Sequence, residues 1–329
     1  ALVALDPVTG IVLALVASPS FDPNPISGHD TPTIRETWDA LQTDPGKPLL
    51  NRATSESYPP GSTFKVVTAA AALEHGKPVS TAYPSQSSYV PPQTNRPIGN
   101  FGGRACGGTM ADALRVSCNT YFAHLGADLT AAEFEDTARG FGFGEVPPLD
   151  IAAARSRFPS ADVLRSGAFR AQSAIGQYDV SATPLQMALV AAGIANDGTI
   201  QKPTLVKRVR DFRGTKVEQT PSEVWKEAIS EETAETLTQL MVDVVDNGTG
   251  RSAAIPGVNV AGKTGTAQTS EGQAPHAWFI AFAPAEQPRI AVAVVVENGG
   301  DVGNEATGGR LAAPIAKAVM EAHRKVGLW

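Results

Sequence analysis

The sequence has no run of basic residues, no long apolar stretch and few charges. Charged residues make up 18% of the 329 residues and hydrophobic residues 42%, which is the composition of a globular protein. The formal net charge is −6, so we expect no nucleic acid as a partner. No segment reaches the roughly 18 consecutive apolar residues of a membrane span. The length allows one large domain or two small ones with a sizeable core.

Signals of targeting, metal binding and phosphate binding are also missing. No basic leader with a cleavage site is visible, and because the chain begins directly in an apolar strand we expect an upstream part outside this sequence. Two cysteines allow either one disulfide outside the cell or two buried thiols inside it. The "GFGFG" at 140–144 does not follow a strand and lead to a Lys, as a phosphate loop would. The five histidines lack zinc spacing, so we expect neither a metal nor a cofactor.

Apolar patterning predicts strands at both ends of the chain and helices in the middle. Strands are predicted at 2–5, 11–17, 258–264, 277–283 and 290–297, the first two joined by a tight turn at Gly10. Helices are predicted at 64–75, 109–127, 130–140, 162–170, 184–196, 231–246 and 310–325. Residues 19–57, 78–109 and 298–309 are predicted to be mostly loop.

This order of elements predicts one α+β domain over residues 1–329. Strands at both ends of a chain can join one sheet only if the helical part is an insertion. We therefore expect a central antiparallel sheet of about five strands flanked by helices. The sheet subdomain would comprise about 1–50 plus 231–329, and the mostly helical subdomain about 51–230.

The stretch "YPPGSTFKVVTAAAALEHG" places a Ser and a Lys at the head of an almost wholly apolar segment. Ser62 and Lys65 share one face of a helix, so their side chains can come within hydrogen-bond reach. Burial in an apolar helix lowers the pKa of a Lys, and a neutral amine can activate a serine hydroxyl as a nucleophile. Taken alone, the pair also fits a helix cap and a lysine that extends to solvent.

Two later motifs favour catalysis. "SCN" puts the hydroxyl of Ser117 and the carboxamide of Asn119 between two apolar helical runs, where either side chain also suits a helix cap. In "VAGKTGTAQT", Gly265 permits close approach to a strand backbone. Lys263 adds positive charge beside Thr264 and Thr266, whose hydroxyls face the same side. Such a strand suits a carboxylate-bearing substrate.

S-x-x-K, S-x-N and K-T-G in this order are the motif set of penicillin-recognising serine enzymes. The chain resembles the transpeptidase domain of class B penicillin-binding proteins. The resemblance extends over five stretches from the first residues to residue 300: "LDPVTGIVLALVASPSFDPN", "YPPGSTFKVVTAAAALEHG", "SAIGQYDVSATPLQMALVAAGIANDG", "GVNVAGKTGTAQ" and "HAWFIAFAPAEQPRIAVAVVVENGG". It implies the penicillin-binding and β-lactamase-like transpeptidase fold.

The resemblance also implies roles for these residues. Ser62 would be the acylated nucleophile on a D-Ala-D-Ala stem peptide and Lys65 its general base. Ser117 would relay a proton to the leaving amine, and Asn119 would hold the substrate amide. Lys263, with the strand residues Thr264, Gly265 and Thr266, would bind the carboxylate of the donor or of an inhibitory β-lactam, and the backbone N–H groups of Ser62 and Thr266 would form the oxyanion hole. A second stem peptide would supply the acceptor amine.

Three related activities share these motifs. A D,D-carboxypeptidase would pass the acyl group to water. A class A β-lactamase needs an E-x-x-L-N loop that is missing between residues 120 and 262, and class D enzymes usually carry S-x-V and Y-G-N. A non-enzymatic β-lactam sensor domain would acylate once and signal.

The resemblance places the protein at the extracytoplasmic face of a bacterial membrane, anchored by an N-terminal helix outside this sequence. A membrane glycan polymerase would be its partner. In that oxidising compartment we hypothesise a disulfide between Cys106 and Cys118, which would tie the 78–109 loop to the Ser117 turn. The alternative is that Cys118 is a small buried apolar side chain.

Overall fold

A computed structural model gives the structure of residues 1–268 and 272–327. Its α-helices are α1 (Thr31–Thr43), α2 (Lys65–Glu74), α3 (Met110–Arg115), α4 (Asn119–Asp128), α5 (Ala131–Gly140), α6 (Gly167–Ser173), α7 (Pro184–Ala195), α8 (Glu231–Asp246) and α9 (Ala313–Lys325). Its strands are β1 (Leu2–Leu5), β2 (Val12–Val16), β3 (Tyr83–Gln86), β4 (Ser88–Tyr89), β5 (Ile98–Gly99), β6 (Cys106–Gly108), β7 (Thr199–Gln201), β8 (Arg208–Arg210), β9 (Lys216–Gln219), β10 (Val224–Glu227), β11 (Ala261–Ala267), β12 (His276–Ala283) and β13 (Ile290–Val296).

A five-stranded antiparallel sheet joins the two ends of the chain. Its order is β11-β12-β13-β1-β2, and Leu2 of β1 lies opposite Val294 of β13. Neighbouring side chains of a strand point to opposite faces, so Ile280 and Phe279 of β12 belong to two separate apolar clusters. The predicted α+β fold with about five antiparallel strands is confirmed.

Helices cover both faces of this sheet. On one face, Ala316 and Met320 of α9 pack with Phe279. On the other, α7 is buried along its whole length and joins Ile280 in the larger cluster. The larger cluster extends into the helical middle of the chain and contains α2.

Helix α2 is a buried helix, as its composition predicts. Every residue from Lys65 to Ala72 is buried, because apolar side chains surround the helix on all sides. It ends before Gly76, whose φ of +79° is a left-handed conformation that glycine adopts without steric cost. A lysine at the first position of this helix is therefore enclosed by protein.

The prediction of mostly loop over 19–57 is wrong for α1. This helix has no buried residue, so it shows only a weak apolar stripe at Ile34, Trp38 and Leu41. Asp30 in an extended N-cap conformation and a proline in the first turn mark its start. The proline content of the surrounding segment obscured these local signals.

Three other boundaries differ from the predictions. The helix predicted at 109–127 is divided into α3 and α4, because the chain turns at Ser117 with a φ of +60°. The strand predicted at 258–264 begins at Ala261 and continues to Ala267 along β12, since Val258 instead closes a local bridge with Ile255. The helix predicted at 162–170 is a 3₁₀ turn followed by α6.

Short strands also lie where the sequence predicts loop or helix. The 78–109 segment contains β3 to β6, and residues 199–227 contain β7 to β10. They form two-stranded pairs, β3 with β6, β4 with β5, β7 with β10 and β8 with β9, and strands this short carry too little pattern to be recognised. The division of the chain at about residues 50 and 230 into two subdomains stays a prediction.

Candidate active site

Ser62 lies on a 3₁₀ turn that leads directly into α2. This turn, Gly61–Phe64, packs against β11 so closely that a Cβ at Gly61 would lie 2.9 Å from the carbonyl oxygen of Thr266. Gly61 also has a φ of +53°, which favours glycine. On the other side, a Cβ at Gly176 would lie 2.1 Å from the Gly61 oxygen. The turn is thus held between β11 and the segment around Gly176.

Lys65, the first residue of α2, is fully buried and bonded to the Ser117 turn. Its Nζ donates to the carbonyl oxygen of Ser117 at 2.7 Å and to Oδ1 of Asn119 at 2.7 Å, with a longer contact of 3.4 Å to Ser117 Oγ. Within residues 1–268 and 272–327, none of its hydrogen bonds goes to Ser62. Helical spacing predicts that Ser62 and Lys65 can reach each other, whereas in the structure the amine bonds to oxygens of Ser117 and Asn119.

Lys263 completes the cluster from β11. Its Nζ donates to Ser117 Oγ at 2.8 Å and to the carbonyl oxygen of Thr264 at 2.8 Å, and its side chain is fully buried. Ser117 Oγ therefore lies between the two lysine amines, one from a helix and one from a strand.

Burial controls the protonation of both amines. Burial lowers the pKa of Lys65 well below its usual range, and repulsion by Lys263 lowers it further. Burial alone lowers the pKa of Lys263 to about 7, because desolvation disfavours the charged form of an amine. Two amines so close together favour a state in which at least one is neutral.

The turn between α3 and α4 is fixed from several sides. A disulfide joins Cys118 to Cys106 of β6. Nδ2 of Asn119 donates to the carbonyl oxygen of Gly99 at 2.9 Å. These contacts hold Ser117 in its left-handed conformation, which is uncommon for a residue other than glycine.

Gly265 of β11 makes a close approach to the Ser62 turn that the sequence does not predict, and its predicted contact with a ligand stays a prediction. The sequence predicts that it lets a ligand approach the strand. A Cβ at this position would lie 2.9 Å from Cγ2 of Thr63 and 3.0 Å from the oxygen of Pro60. The glycine therefore admits the Ser62 turn to the strand.

A cleft of about 1070 Å³ connects the predicted site residues. Ser62, Ser117, Asn119, Thr264 and Thr266 all line it, and the fully buried Lys65 and Lys263 lie behind Ser117. Thr264 Oγ1 shares a hydrogen bond of 2.6 Å with Thr249 Oγ1. The structure thus brings the three motifs to one cavity.

The cleft has further walls that sequence reasoning missed. Gln177, Tyr178 and Gln268 fall in stretches that carry the resemblance, so the resemblance was the signal that could have found them. The remaining polar wall residues are Asn100, Gln172, Thr249, Gln273, Asn304 and Thr307. Apart from Gln172 of α6, they lie outside the α-helices and strands, where neither helical nor strand periodicity distinguishes them.

Comparison with known proteins identifies the family. The family model of the penicillin-binding protein transpeptidase domain matches residues 1–321. Peptidoglycan D,D-transpeptidase PbpA of Mycolicibacterium smegmatis is 44% identical over 335 residues, covering 99% of this chain and 67% of that protein. PbpA of Mycobacterium tuberculosis (strain CDC 1551 / Oshkosh) is 42% identical over 330 residues, covering 98% and 66%. This chain thus spans about two thirds of the length of these relatives.

A solved structure agrees with the sequence relatives. Penicillin-binding protein A from M. tuberculosis, as its ceftriaxone acyl-enzyme complex, superposes with a TM-score of 0.92 at 42% sequence identity, over 98% of this chain and 73% of that one. The resemblance inferred from the motifs is confirmed. The chain belongs to the family of penicillin-binding protein transpeptidase domains.

Proposed function

We propose that this chain is the catalytic domain of a peptidoglycan D,D-transpeptidase, which cross-links stem peptides through an acyl-serine intermediate and is acylated and inhibited by β-lactams. The observation that carries the proposal is the hydrogen-bonded series of Lys65, Ser117 and Lys263, which opens onto a cleft with Ser62 on its wall. Family membership supports it, as does the acyl-enzyme that the M. tuberculosis protein forms with ceftriaxone.

Lys65 is the general base. A neutral amine has two N–H groups and one lone pair, and the two short bonds to the Ser117 carbonyl and Asn119 Oδ1 use both N–H groups. The lone pair then remains for the proton of the Ser62 hydroxyl, three residues earlier on the same helical face. The lowered pKa of Lys65 favours the neutral amine that this role requires.

Ser117 and Asn119 serve the leaving group and the substrate amide. Ser117 Oγ contacts both amines, so a proton taken up by Lys65 has a hydroxyl path to the nitrogen that departs. Asn119 lines the cleft and is oriented by its bond to Gly99. Its carboxamide is placed to hold the substrate amide.

Thr264 and Thr266 hold the substrate carboxylate, and Lys263 acts behind them. Both threonines line the cleft on the same side of β11. Lys263 is fully buried and bonded to Ser117. Its positive charge therefore attracts the carboxylate electrostatically while the hydroxyls make the contact.

The acyl transfer proceeds in two balanced steps. Ser62 Oγ attacks the carbonyl carbon of the penultimate D-Ala, the C–N bond breaks, and the serine proton leaves with the terminal D-Ala amine. The amine of a second stem peptide then attacks the ester, its proton returns to Ser62 Oγ, and the new amide is the cross-link. The N–H groups of Ser62 and Thr266 form the oxyanion hole, where one lost donor typically lowers kcat by about 10²–10³.

The same proposal sets the compartment and the partner. Stem peptides lie outside the bacterial cytoplasmic membrane, where a disulfide such as Cys106–Cys118 is stable. No helix among the residues that the structure describes is suited by length and hydropathy to cross a membrane. We place the protein at the extracytoplasmic face, anchored by a helix outside this sequence and working beside a membrane glycan polymerase.

Intact mass spectrometry after incubation with benzylpenicillin, followed over hours, tests the function. We expect one persistent penicillin adduct on the wild type and none on Ser62→Ala. Ser85→Ala, a change at an exposed serine, is the control and should form the adduct as the wild type does. A D-Ala-D-Ala stem peptide offered with an amine acceptor is expected to give the amide product.

Each other outcome contradicts part of the proposal. An adduct that clears within seconds indicates a β-lactamase, and transfer of the stem peptide only to water indicates a D,D-carboxypeptidase. Acylation without turnover of any peptide indicates a sensor domain. An adduct on Ser62→Ala excludes Ser62 as the nucleophile.

A further inference from the structure

The carboxylate of Glu297 connects the segment that precedes Ser62 to the end of β13. Its Oε1 accepts a hydrogen bond from the Tyr58 hydroxyl. Its Oε2 accepts from Nε of Arg52 at 3.2 Å. The Arg52 guanidinium also donates to the carbonyl oxygens of Lys47 at 3.1 Å and Gly46 at 2.7 Å. One side chain thus joins two positions, 58 and 297, that are 239 residues apart.

Tyr58 is fixed in orientation on every side. It is 5% exposed, and its ring packs edge-on against His276 and Trp278, with centroids at 5.2 Å and 6.1 Å. Its backbone N–H and carbonyl both pair with Ala182, at 3.0 Å and 2.8 Å. The hydroxyl bond to Glu297 therefore acts on a ring that has little other freedom.

Two prolines connect Tyr58 to the Ser62 turn. Pro59 and Pro60 have a fixed φ, so this stretch of chain is stiff. The carbonyl oxygen of Pro59 accepts from Nε1 of Trp278 at 3.1 Å, and the N–H of Gly61 donates to the carbonyl oxygen of Gly176 at 3.1 Å. Tyr58 is thus joined to Ser62 by a short stretch of chain with few free torsions.

The opposite wall of the cleft begins at the same carboxylate. The N–H of Asn298, next to Glu297, donates to Nδ1 of His276 at 3.1 Å. The chain then continues to Asn304 and Thr307, which line the cleft. Glu297 therefore contacts the segment that leads to Ser62 and directly precedes the segment that leads to the facing wall of the cleft.

The partly buried ion pair of Arg52 and Glu297 adds little to the stability of the fold by itself. Arg52 has a side-chain exposure of 9% and Glu297 of 30%, and desolvating such a pair offsets most of its attraction. Apolar side chains would hold the strand and the turn together at least as well. A carboxylate adds directional hydrogen bonds, which fix position more narrowly than apolar packing does.

We infer that Glu297 is a positioning residue, which acts through the Tyr58 hydroxyl to hold the Ser62 turn in its reactive place beside Lys65 and β11. The inference rests on the proposed function, since it concerns the rate at which Ser62 is acylated. If the inference is correct, breaking the hydrogen bond between Tyr58 and Glu297 slows the acylation of Ser62 but leaves the reversible binding of the β-lactam unchanged.

The test compares Tyr58→Phe, Glu297→Ala, the double variant and Glu297→Gln with the wild type. Rapid-quench mass spectrometry with benzylpenicillin gives the acylation rate constant at saturation and the Kd of the reversible complex. Tyr83→Phe is the matched control, because that tyrosine also donates to a carboxylate, Oδ2 of Asp128 at 2.6 Å, and lies in β3, outside both the Ser62 turn and the lining of the cleft. Thermal melting of each variant reports folding.

We expect Tyr58→Phe and Glu297→Ala each to lower the rate constant about tenfold, because small misplacements of a reacting group slow a reaction strongly. The double variant is expected to lose no more than Glu297→Ala alone, since both changes break the Tyr58–Glu297 bond and only Glu297→Ala also breaks the bond to Arg52. The carboxamide of Glu297→Gln still accepts from Tyr58, so its rate should return to within about threefold of the wild type. The Kd of the reversible complex should stay unchanged in every variant. Tyr83→Phe should also keep the wild-type acylation rate constant.

The inference is wrong if Tyr58→Phe and Glu297→Ala both acylate at the wild-type rate, or if they change only the Kd. It is also wrong if the losses in the acylation rate constant multiply in the double variant, or if Tyr83→Phe loses as much as they do. If Glu297→Ala does not fold, Tyr58→Phe decides, because it removes one oxygen and keeps the ring. A wild type that benzylpenicillin never acylates overturns the proposed function itself, and with it this inference.

Discussion

Lys65 shows how one buried side chain acquires a reactive form. Its amine has no contact with water and lies 5.6 Å from the centre of the Phe122 ring. Desolvation is the larger cause of its lowered pKa, and the neighbouring Lys263 adds to it. The acceptors at Ser117 and Asn119 fix the direction of the amine in either protonation state. In the proposed mechanism, the activation of Ser62 depends on this burial of Lys65.

Lys65→Arg tests whether the neutral form matters. A guanidinium stays protonated at any pH at which the protein is folded, so it cannot take the proton of Ser62. We expect acylation by benzylpenicillin to fall by about 10²–10⁴, the usual contribution of a general base. The rate of adduct formation measures it, with Lys202→Arg as the control because Lys202 is exposed and pairs with Glu223. Acylation of Lys65→Arg within threefold of the wild type would remove Lys65 from the base role.

The turn between α3 and α4 is the element on which the site depends most. Ser117 has a φ of +60°, a conformation that costs a non-glycine residue about 1–2 kcal/mol. The disulfide to β6 fixes Cys118 at this turn, and the N–H groups of Ser117 and Cys118 donate to the carbonyl oxygens of Leu114 and Ala113 at the end of α3. Cys106 of β6, which lies outside the turn, thereby supports a residue that we propose to be catalytic.

Opening the disulfide tests this support. Cys106 and Cys118 are the two cysteines of the chain, so a reductant acts only there. For a loop of this size we expect reduction to lower the free energy of unfolding by about 2–4 kcal/mol. We also expect slower acylation, since Ser117 loses one of its constraints. Urea titration and adduct formation, with and without reductant, measure both effects.

The control is the Cys106→Ala/Cys118→Ala variant, which should reproduce the reduced state and not respond to reductant. If the reduced enzyme is less stable but acylates at the wild-type rate, the bond stabilises the fold without holding Ser117 in place.

At the scale of the whole molecule, two lysine amines lie in the interior behind the cleft, and their burial lowers the free energy of unfolding. Lys65 comes from the helical middle of the chain and Lys263 from the edge strand of the sheet. Both side chains are fully buried, and burying an amine without a carboxylate partner is unfavourable. The protein thus gives up stability for a site in which neutral and charged amines coexist.

Lys263→Met should make the protein more stable and less active. The pKa of Lys263 is lowered from 10.5 to about 7, so between these pH values the unfolded chain binds a proton that the folded chain does not. Wild-type stability therefore rises with pH across this window, and the penalty is complete below pH 7. At pH 6 we expect Lys263→Met to raise the free energy of unfolding by about 1–3 kcal/mol.

Urea titrations at pH 6 and pH 9 measure this gain, which should shrink at pH 9 because the wild type is then largely deprotonated at Lys263. Lys202→Met, at an exposed site, is the control. An equal gain at both pH values would mean that packing, and not the buried amine, sets the difference.

Much of the fold and the identity of the motif residues could be predicted from the sequence. Strand alternation and apolar runs predicted the five sheet strands, and only the strand of the K-T-G motif was displaced, by three residues. The wholly apolar stretch after Ser62 predicted a buried helix, and Gly76 its end. These signals are local in the sequence, because the spacing of neighbouring residues alone determines which side chains share a face of a strand or helix. The helix α1 was missed because it buries nothing.

Only the tertiary structure decided which of these residues meet. Ser117 bonds to Lys263 across 146 residues, and Lys65 donates to the Ser117 turn rather than to its helical neighbour Ser62. Gly265 turned out to admit the Ser62 turn, and Glu297 meets Tyr58 across 239 residues. No local pattern encodes such contacts, because they depend on how the sheet and the helices pack. The sequence by itself determined the sheet strands, the buried helix after Ser62 and the chemical groups of the motifs, because these depend on local patterns. Packing decided the partners of these groups and the burial that lowers the pKa values of the two lysines.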